Sequence, residues 1–318
     1  MYVAASTVSP HQPPEVVTMG EVMVLLWPAG MEPLEEATLF ERSFGGAEAN
    51  AAIALARLGH RVRWISRLGD DAFGRYVRRR LEREGVQVDA AIDAQAPTAV
   101  FFKERVLTGP RRVAYYRRGS AASRLGPDDL RPEQFGGARV VHLSGITPAL
   151  STSCAEAVWR AFGLAREAGA LVSFDPNVRR QLWPDEESVR ATLLPLIAQA
   201  DLVLLGDEDA AVLYPGLSEE DILRAVTSAG PQSAVLKLGA RGATAWCEGR
   251  LMAVEAYPIQ IVDTVGAGDG FAAGYIAGLL RGFDAEQRLA LAARVGASAV
   301  SVAGDWEGYP RAAEVGLA

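Results

Sequence analysis

The 318-residue sequence has few of the features that mark several common classes of protein. Its only cysteines, Cys154 and Cys247, are too few for a disulfide framework or a cysteine zinc site. No apolar run reaches the roughly 18 residues that a membrane-spanning helix needs. The net charge of −7 argues against nucleic acid or an anionic membrane as the main partner. These features predict a reduced, cytoplasmic globular protein.

Two phosphate-binding motifs are also absent. No Gly-x-x-x-x-Gly-Lys-[Ser/Thr] sequence occurs, and no Gly-x-Gly-x-x-Gly follows the first predicted strand, which disfavours P-loop and Rossmann dehydrogenase interpretations. Lysine and asparagine are scarce as well. Lys103 and Lys237 are the only lysines among 32 basic residues, and Asn50 and Asn177 are the only asparagines. Both asparagines lie inside motif-like segments.

Hydrophobic periodicity predicts alternating strands and helices over most of the chain. After a polar N-terminal extension, residues 1–14, the apolar run Val16–Trp27 is predicted to be one opening strand. The predicted helices are Ala47–Leu58, Ala72–Glu84, Thr152–Ala168, Glu187–Gln199, Glu219–Ser228 and Ala285–Val302. The other predicted strands are Val62–Ile65, Val86–Ala91, Val140–Leu143, Leu171–Phe174, Leu202–Leu205 and Ala234–Leu238, with a hairpin at Thr244–Val254. This order predicts an α/β, doubly wound, mainly parallel sheet with helices on both faces, in one domain over residues 15–318.

Two extended segments of mixed polarity interrupt the alternation, at about residues 28–43 and 95–119. The second contains a predicted hairpin in which Thr98–Val106 and Arg112–Arg117 are joined through Thr108-Gly109-Pro110. We expect the two segments to pair as a small β-sheet lid over one edge of the main sheet. Because an exposed lid has an edge to protect, we also predict a homo-oligomer through it. The alternative is two surface loops.

The segment Asp263-Thr264-Val265-Gly266-Ala267-Gly268-Asp269-Gly270-Phe271 carries the strongest chemical signal. It lies between a strand-like apolar run, Pro258–Val262, and a helical stretch, Phe271–Leu280. Its glycines allow close approach of the backbone to a ligand, and the N–H groups that open a helix attract an anion. A carboxylate at Asp269 therefore suits a base that takes a proton beside phosphate charge. The alternative is a tight strand-to-helix turn.

Two further segments lie at the ends of predicted strands, where ligands of doubly wound sheets bind. Lys237-Leu238-Gly239-Ala240-Arg241-Gly242 suits a ligand-facing loop, and the alternative is an ordinary left-handed turn. In Asp175-Pro176-Asn177-Val178-Arg179 the asparagine and the arginine point to the same side, where an arginine can hold a carboxylate or phosphate. The alternative there is an Asp-Pro turn with a solvated arginine.

The hairpin and the first helix supply two more candidate sites. Tyr115 and Arg117 share a face of a strand, so they can stack over and grip an anionic ligand. An amphipathic edge strand explains them equally well. Gly45-Gly46 opens the first helix, and Asn50, one turn into it, is placed to aim its amide at a sugar hydroxyl. The alternative is a helix N-terminus with Glu48 favourably near its positive end.

Taken together, these segments resemble the PfkB/ribokinase-like carbohydrate kinases. The N-terminal signature of that family is similar to Gly45-Gly46-x-x-x-Asn50 followed by Leu68-Gly69-Asp70-Asp71-x-Phe73-Gly74. Its C-terminal signature is similar to Asp263-Thr264-x-Gly266-Ala267-Gly268-Asp269-x-Phe271. The resemblance covers nearly the whole chain, and the segments 115–121, 142–146, 175–179 and 304–308 are most similar to 2-keto-3-deoxygluconate kinases.

The resemblance implies transfer of the γ-phosphoryl group of ATP to a sugar hydroxyl, with Mg²⁺ as cofactor and a monovalent cation left open. It implies Asp269 as the base and the N–H groups of Gly266, Ala267 and Gly268 as the anion hole. The residues implied to bind the sugar acid are Gly46, Asn50, Phe101, Tyr115, Arg117, Arg179 and Asp305. Those implied for the nucleotide are Asn177, Lys237, Gly239, Arg241 and Gly242, together with Gly266 and Gly268.

Two departures from the family pattern affect these expectations. The family carries Asn-x-x-Glu near the phosphates and metal, and the corresponding place here is Gly206-Asp207-Glu208-Asp209. Metal binding is therefore predicted through Asp209 by way of water, with Glu208 as the alternative. Phe101 stands where an aromatic hydroxyl is expected, which removes one hydrogen bond to substrate. A fructokinase or ribokinase-like enzyme, or a non-catalytic sugar or nucleotide sensor, remain alternatives.

Overall fold

The computed structural model describes residues 12–104 and 113–317. The strands in this part of the chain are β1 (Val16–Met19), β2 (Met23–Pro28), β3 (Phe40–Gly45), β4 (Val62–Gly69), β5 (Gln87–Asp93), β6 (Ala99–Lys103), β7 (Val113–Tyr116), β8 (Val140–Ser144), β9 (Leu171–Asp175), β10 (Leu202–Gly206), β11 (Ser233–Lys237), β12 (Ala243–Cys247) and β13 (Arg250–Val254). The helices are α1 (Ala47–Arg57), α2 (Ala72–Arg83), α3 (Pro132–Phe135), α4 (Thr152–Glu167), α5 (Glu186–Gln199), α6 (Asp207–Leu213), α7 (Glu219–Ala229), α8 (Ala267–Leu280) and α9 (Ala285–Val300).

Nine strands form the main sheet, in the order β13-β12-β11-β10-β9-β8-β1-β4-β5. All neighbours pair in parallel except β11 with β12 and β12 with β13. The chain proceeds outward from β1 in both directions, so the strand order reverses between β1 and β8. Ligands of open α/β sheets bind beyond the carboxyl ends of the strands at such a switch point. The α/β, doubly wound prediction is confirmed.

Helices cover both faces of this sheet. Successive side chains of a strand point to opposite faces, so each strand contributes residues to two cores. Val16 of β1 belongs to the core formed with α1, α2, α8 and α9, whereas its neighbour Val17 belongs to the core formed with α4, α5 and α7. Asp71 caps α2 by accepting the N–H of Gly74, and Ser151 caps α4 through the N–H of Cys154. In the described part of the chain, no helix combines the length and the apolar character needed to cross a membrane.

The remaining four strands form a small sheet in the order β3-β2-β6-β7. Two of its pairings are antiparallel, and β2 with β6 is parallel. One face carries an aromatic row in which the ring centroids of Phe40 and Phe102 lie 5.8 Å apart and those of Phe102 and Tyr116 lie 5.7 Å apart. Tyr116 is 68% exposed, so this face meets solvent.

Three sequence expectations about this architecture need correction. The run Val16–Trp27 is two strands rather than one, because the chain leaves the main sheet after Met19 and enters the small sheet at Met23. Residues 29–39 form no strand, so of the predicted segment 28–43 only the two ends lie in the small sheet, in β2 and β3. The run Pro258–Val262 is not a strand in the described part of the chain, and its Ile261 is 60% exposed.

The other boundaries agree closely with the predicted ones, although α8 begins at Ala267, four residues before the predicted Phe271. The helices α3 and α6 were not predicted. The predicted connection Thr108-Gly109-Pro110 and most of the N-terminal extension lie outside the described residues.

Candidate active site

A cavity of about 500 Å³ lies between the carboxyl ends of the central strands and the small sheet. Each central strand delivers polar side chains to its wall: Glu21 follows β1, Asp175 ends β9, Asp209 follows β10 and Lys237 ends β11. Such convergence of charged groups in one cleft is typical of an active site.

Asp269 faces this cavity from the first turn of α8. The side-chain amide of Asn50 donates a hydrogen bond from Nδ2 to Asp269 Oδ2 at 2.8 Å, and Asn50 Oδ1 accepts the N–H of Gly46 at 3.4 Å. These two contacts fix the orientation of both the amide and the carboxylate. Asn50 was expected to contact a sugar hydroxyl, and the structure bonds its amide nitrogen to Asp269.

The pKa of Asp269 is raised to about 6, chiefly because burial penalises the charged form. The hydrogen bond from Asn50 opposes this shift, and the nearby charge of Asp175 adds to it. A carboxylate with a pKa near 6 is still ionised at neutral pH and is a stronger base than an ordinary aspartate.

The turn before α8 places backbone N–H groups beside this carboxylate. Gly266 has a φ of +79°, the left-handed conformation that glycine tolerates, and is the N-cap residue. A Cβ at Gly266 would lie 1.9 Å from the carbonyl oxygen of Asp305, so no larger residue fits. The first N–H groups of a helix have no intrahelical acceptor and therefore attract negative charge. Gly266 and Gly268 line the cavity, and the anion hole formed by residues 266–268 stays a prediction.

Lys237 places a cation close to this turn. Its Nζ lies 2.5 Å from Asp175 Oδ2, and a Cβ at Gly268 would lie 3.4 Å from the same ammonium. Asn177 follows with a φ of +39° and donates its N–H to Asp175 Oδ1 at 3.2 Å. The segment Asp175-Pro176-Asn177 is therefore an aspartate turn that fixes both a carboxylate and a lysine at the end of β9 and β11.

The opposite wall of the cavity comes from the small sheet. Tyr115 stacks on Phe101 with ring centroids 5.7 Å apart, and the guanidinium of Arg117 lies 5.7 Å from the Tyr115 ring. Arg117 forms a buried ion pair with Glu21, which also accepts the hydroxyl of Ser120 at 3.2 Å. Burial raises the pKa of Glu21, and Arg117 partly opposes that shift. Glu21 lies in no motif that predicted a site residue.

Asp305 and Arg179 complete the cavity wall. Asp305 is 6% exposed, its Oδ2 would be 1.9 Å from a Cβ at Gly45, and burial raises its pKa to about 7. Arg179 lines the cavity and, within the described residues, has no carboxylate at ion-pair distance. Arg179 therefore has a guanidinium free to bind an anion.

A second cavity of about 480 Å³ adjoins the first and shares Lys237, Gly239, Thr264 and Gly268 with it. Its remaining lining is mostly apolar and comes from the segment after β13 and from α8 and α9, including Tyr257, Pro258, Ile259, Ile261, Phe271, Ala293, Ala297 and Val300. Gly242 lies here as expected. The exposed apolar run 258–262, which is not a strand, forms one side of this groove.

Two predicted site residues have other partners. Arg241 lines neither cavity, because its guanidinium pairs with Glu219 of α7 at 2.6 Å and points along the surface. Asp209 lines the first cavity, but its Oδ1 accepts the N–H of Val178 and its Oδ2 the N–H of Gly206, both at 2.7 Å. Its carboxylate therefore holds the loops after β9 and β10 together.

A large parallel sheet, a smaller sheet across its carboxyl edge and an anion-binding turn next to a raised-pKa carboxylate define a phosphoryl-transfer site. The chain matches the family model for pfkB family carbohydrate kinases over residues 13–311. It therefore belongs to the PfkB family and is a carbohydrate kinase.

Curated relatives of known activity support the same family. The chain is 36% identical over 301 residues to 2-dehydro-3-deoxygluconokinase of Bacillus subtilis, covering 93% of this chain and 92% of the relative. It is 38% identical over 299 residues to the enzyme of the same name from Thermoproteus tenax, covering 93% and 91%. It is also 37% identical over 261 residues to Fructokinase-1 of Oryza sativa, covering 80% of each chain.

Solved structures agree with the fold. 2-Dehydro-3-deoxygluconokinase of Thermotoga maritima superposes with a TM-score of 0.88 at 29% identity, covering 95% of this chain and 98% of its own. A candidate ribokinase II of Escherichia coli, solved in complex with ATP and Mg²⁺, superposes with a TM-score of 0.89 at 26% identity, covering 95% and 98%.

Proposed function

We propose that the protein transfers the γ-phosphoryl group of ATP to the terminal hydroxyl of 2-keto-3-deoxygluconate (2-dehydro-3-deoxygluconate), forming 2-keto-3-deoxy-6-phosphogluconate. The observation that carries the proposal is the pairing, in one cavity, of a hydrogen-bonded carboxylate at the start of α8 with the uncommitted guanidinium of Arg179. A sugar acid offers both a hydroxyl for Asp269 and a carboxylate for Arg179. The two 2-dehydro-3-deoxygluconokinase relatives support this substrate class.

In the proposed reaction Asp269 accepts the proton of the terminal hydroxyl, and the alkoxide oxygen attacks the γ-phosphorus while ADP leaves. Asn50 orients the carboxylate, and the N–H groups of residues 266–268 stabilise charge on the transferring group. Lys237 balances the phosphate charge from the other side. The main contributions of the chain are positioning and electrostatics.

The apolar groove beside this turn suits the base of the nucleotide. Its lining is mostly aliphatic and aromatic, and it opens to the catalytic cavity next to Gly239 and Gly268, so a base in the groove directs its phosphates toward the N-terminus of α8. Such a placement gives the exposed run 258–262 a function in binding that its sequence alone did not indicate.

Carboxylates suited to Mg²⁺ border the phosphate end of the cavity. Mg²⁺ binds through one or two carboxylates plus substrate phosphates and several waters. Asp207 and Glu208 line the cavity beside Asp209, whose two oxygens already accept backbone N–H groups. We therefore assign the water-mediated contact to Glu208 in preference to Asp209. When bound, Mg²⁺ neutralises part of the phosphate charge.

Replacing K⁺ by a large organic cation in the assay tests the monovalent-ion requirement.

The substrate proposal is tested by a coupled ADP-release assay across 2-keto-3-deoxygluconate, fructose and ribose. We expect the keto-deoxy acid to have the highest kcat/KM. Activity on fructose or ribose without activity on the acid would overturn the substrate assignment.

A fructokinase activity is the alternative, and the similarity to rice Fructokinase-1 favours it. Neutralisation of Arg117 by Glu21 also favours it, because among the described residues that line the cavity Arg179 is then the one arginine without a carboxylate partner.

Replacing Arg179 by Met is expected to lower kcat/KM for the sugar acid about 100-fold and to leave neutral ketoses within about threefold. The reason is the loss of one charge-assisted hydrogen-bonded pair, a contribution of about 1.5–3 kcal/mol. Arg180→Met is the matched control, since Arg180 is the next residue, pairs with Glu186 and does not line the cavity. Equal losses on acidic and neutral sugars would contradict the carboxylate contact.

The pH profile tests the base assignment. Because the pKa of Asp269 is raised to about 6, it is protonated below that pH and cannot accept the hydroxyl proton. We expect kcat/KM to fall about tenfold per pH unit below about 6 and to be level above it. Asn50→Ala removes a hydrogen bond that lowers this pKa, so the acidic limb should move to higher pH. A profile that stays level down to pH 4.5, or that Asn50→Ala does not move, would rule out Asp269.

We further propose that two copies of the chain associate through the aromatic face of the small sheet. Phe40, at 39% exposure, and Tyr116 lie on that face, and β3 and β7 are its edges. Light scattering is expected to give at least twice the mass of the 33.9-kDa chain. A monomer at micromolar concentration would contradict the association.

A further inference from the structure

Both lysines of the chain line the catalytic cavity. Lys237 is part of the phosphate end already described. Lys103 is the last residue of β6 in the small sheet, and its Nζ lies 2.5 Å from Oδ2 of Asp263. Lys103 is 7% exposed and Asp263 is 5% exposed, so the pair is buried in the cavity wall. In a chain whose other basic residues are all arginine, a buried lysine here is a specific choice of side chain.

This ion pair joins two parts of the site that are 160 positions apart in sequence. Asp263 precedes the anion-binding turn, and its Oδ1 accepts the N–H of Val265 at 3.3 Å. The N–H of Asp263 itself donates to the carbonyl of Val300 at 3.2 Å. The carboxylate of Asp263 therefore connects the small sheet, through Lys103, with the backbone that leads into Gly266.

We propose that Lys103 is a positioning residue that ties the small sheet to the anion-binding turn. Its ammonium holds the carboxylate of Asp263, and the pair keeps residues 263–266 in the arrangement that receives the transferred phosphoryl group. This inference rests on the proposed kinase mechanism and assigns Lys103 a role in it.

The electrostatic setting supports a positioning role over simple stabilisation. A buried ion pair contributes little net stability, because the loss of hydration offsets the attraction, but it holds two groups in a defined arrangement. A lysine also places a compact point charge at the end of a flexible stem, which lets it reach from the small sheet to Asp263. The charge of Lys103 also reaches Asp305, on which it acts against the effect of burial. The charge of Lys103 thus acts both on Asp263, which precedes the turn, and on Asp305, whose carbonyl group borders Gly266.

A double-mutant cycle tests the coupling. Lys103→Met keeps the length and apolar stem of the side chain, and Asp263→Asn keeps its shape. We expect each to lower kcat at least tenfold with the sugar KM within threefold of wild type, and the double variant to be no slower than the slower single variant. Additive losses would overturn the proposal. A rise in sugar KM without a fall in kcat would also overturn it, because it would make Lys103 a substrate-binding residue.

Arg67→Met is the matched control for loss of a cationic partner. Arg67 pairs at 3.1 Å with Asp93, which is 5% exposed, and it does not line the cavity. It is expected to lower the melting temperature and to leave kcat within twofold. A similar fall in kcat for Arg67→Met and Lys103→Met would make the effect structural. If Lys103→Met does not fold, Lys103→Arg is the deciding variant. A kcat of Lys103→Arg within fivefold of wild type supports the charge contact. A loss of kcat as large as that of Asp263→Asn overturns the proposal.

Hydrogen–deuterium exchange provides a readout that a stability effect does not move. Adding the sugar without nucleotide should slow exchange in peptides covering residues 262–270 of the wild-type protein, and should leave those peptides unchanged in Lys103→Met. Equal protection in both proteins would overturn the coupling. An inactive wild-type protein would instead count against the proposed function, because every comparison is made relative to wild-type turnover.

Discussion

Replacing Asp269 by Asn is expected to lower kcat about 10³-fold and to leave the sugar affinity within about threefold. Asparagine keeps the shape of the side chain and a hydrogen bond to Asn50 but cannot accept a proton, and general bases contribute typically 10²–10⁴-fold. Turnover is measured by ADP release at saturating ATP and sugar, and affinity by calorimetric titration of the sugar. A fall in kcat with unchanged binding separates chemistry from recognition.

Asp89→Asn is the control, since Asp89 pairs with the exposed Arg131 and lies outside the cavity. It should leave kcat within twofold. If Asp269→Asn retained more than a tenth of wild-type turnover, Asp269 would not be the base, and the raised pKa of its carboxyl would have another meaning.

Replacing Gly266 by Ala is expected to lower kcat at least 100-fold. A Cβ at this position lies 1.9 Å from the carbonyl oxygen of Asp305, and the φ of +79° is unfavourable for alanine. The turn must shift, and with it the first N–H groups of α8. Loss of one donor of an anion hole costs about 10²–10³ in kcat. Initial rates with and without saturating sugar, together with thermal melting, measure the effect.

Gly282→Ala is the control that separates the backbone strain of an alanine at positive φ from the steric displacement of the Gly266 turn. Gly282 has a φ of +76°, close to that of Gly266, but a Cβ there meets no atom within 4 Å. It should therefore lower the melting temperature by the conformational effect alone and leave kcat within twofold. If the two alanine variants had similar kcat values, the geometry of the Gly266 turn would not matter for catalysis.

The main sheet could be predicted from sequence because its strands are buried on both faces and read as short apolar runs. Leu202–Gly206 and Val140–Ser144 are examples in which almost every residue is buried. Helix boundaries were predicted closely where a cap residue marks them, as Asp284 does for α9. The turn at Gly266 was recognisable because its left-handed conformation favours glycine locally, whereas the role of Asp269 as base stays a prediction.

The sequence-based prediction of the fold was wrong where tertiary contacts, and not local sequence, determine whether a segment forms a strand. The break between β1 and β2 was missed because the single glycine there, Gly20, does not by itself indicate a turn. In the structure the carboxylate of Glu48 packs against Gly20, and its nearest atoms would lie 2.2 Å from a Cβ at that position. The run 258–262 has strand-like composition, but among the described residues the main sheet ends at β13, and the run lies along the groove instead.

The carboxylate partners of the arginines in the site could not be predicted from the sequence, because tertiary contacts determine them as well. Arg117, Arg179 and Arg241 were equal candidates for anion binding, and only the arrangement of other elements distinguishes them. Glu21 neutralises the first and Glu219 the third, from positions far away in sequence. Lys103 had one sequence signal, its rarity, which did not indicate a partner.

The junction between the small sheet and α1 has a further consequence. β3 continues into α1 through Gly46 alone, and a Cβ at Gly46 would lie 2.2 Å from the carbonyl oxygen of Glu21. With no slack in this connection, a tilt of the small sheet must pull on the turn of helix that carries Asn50. An acceptor molecule of the wrong shape would then leave the carboxylate of Asp269 misaligned, so we expect discrimination among sugars in the speed of transfer as well as in the strength of binding.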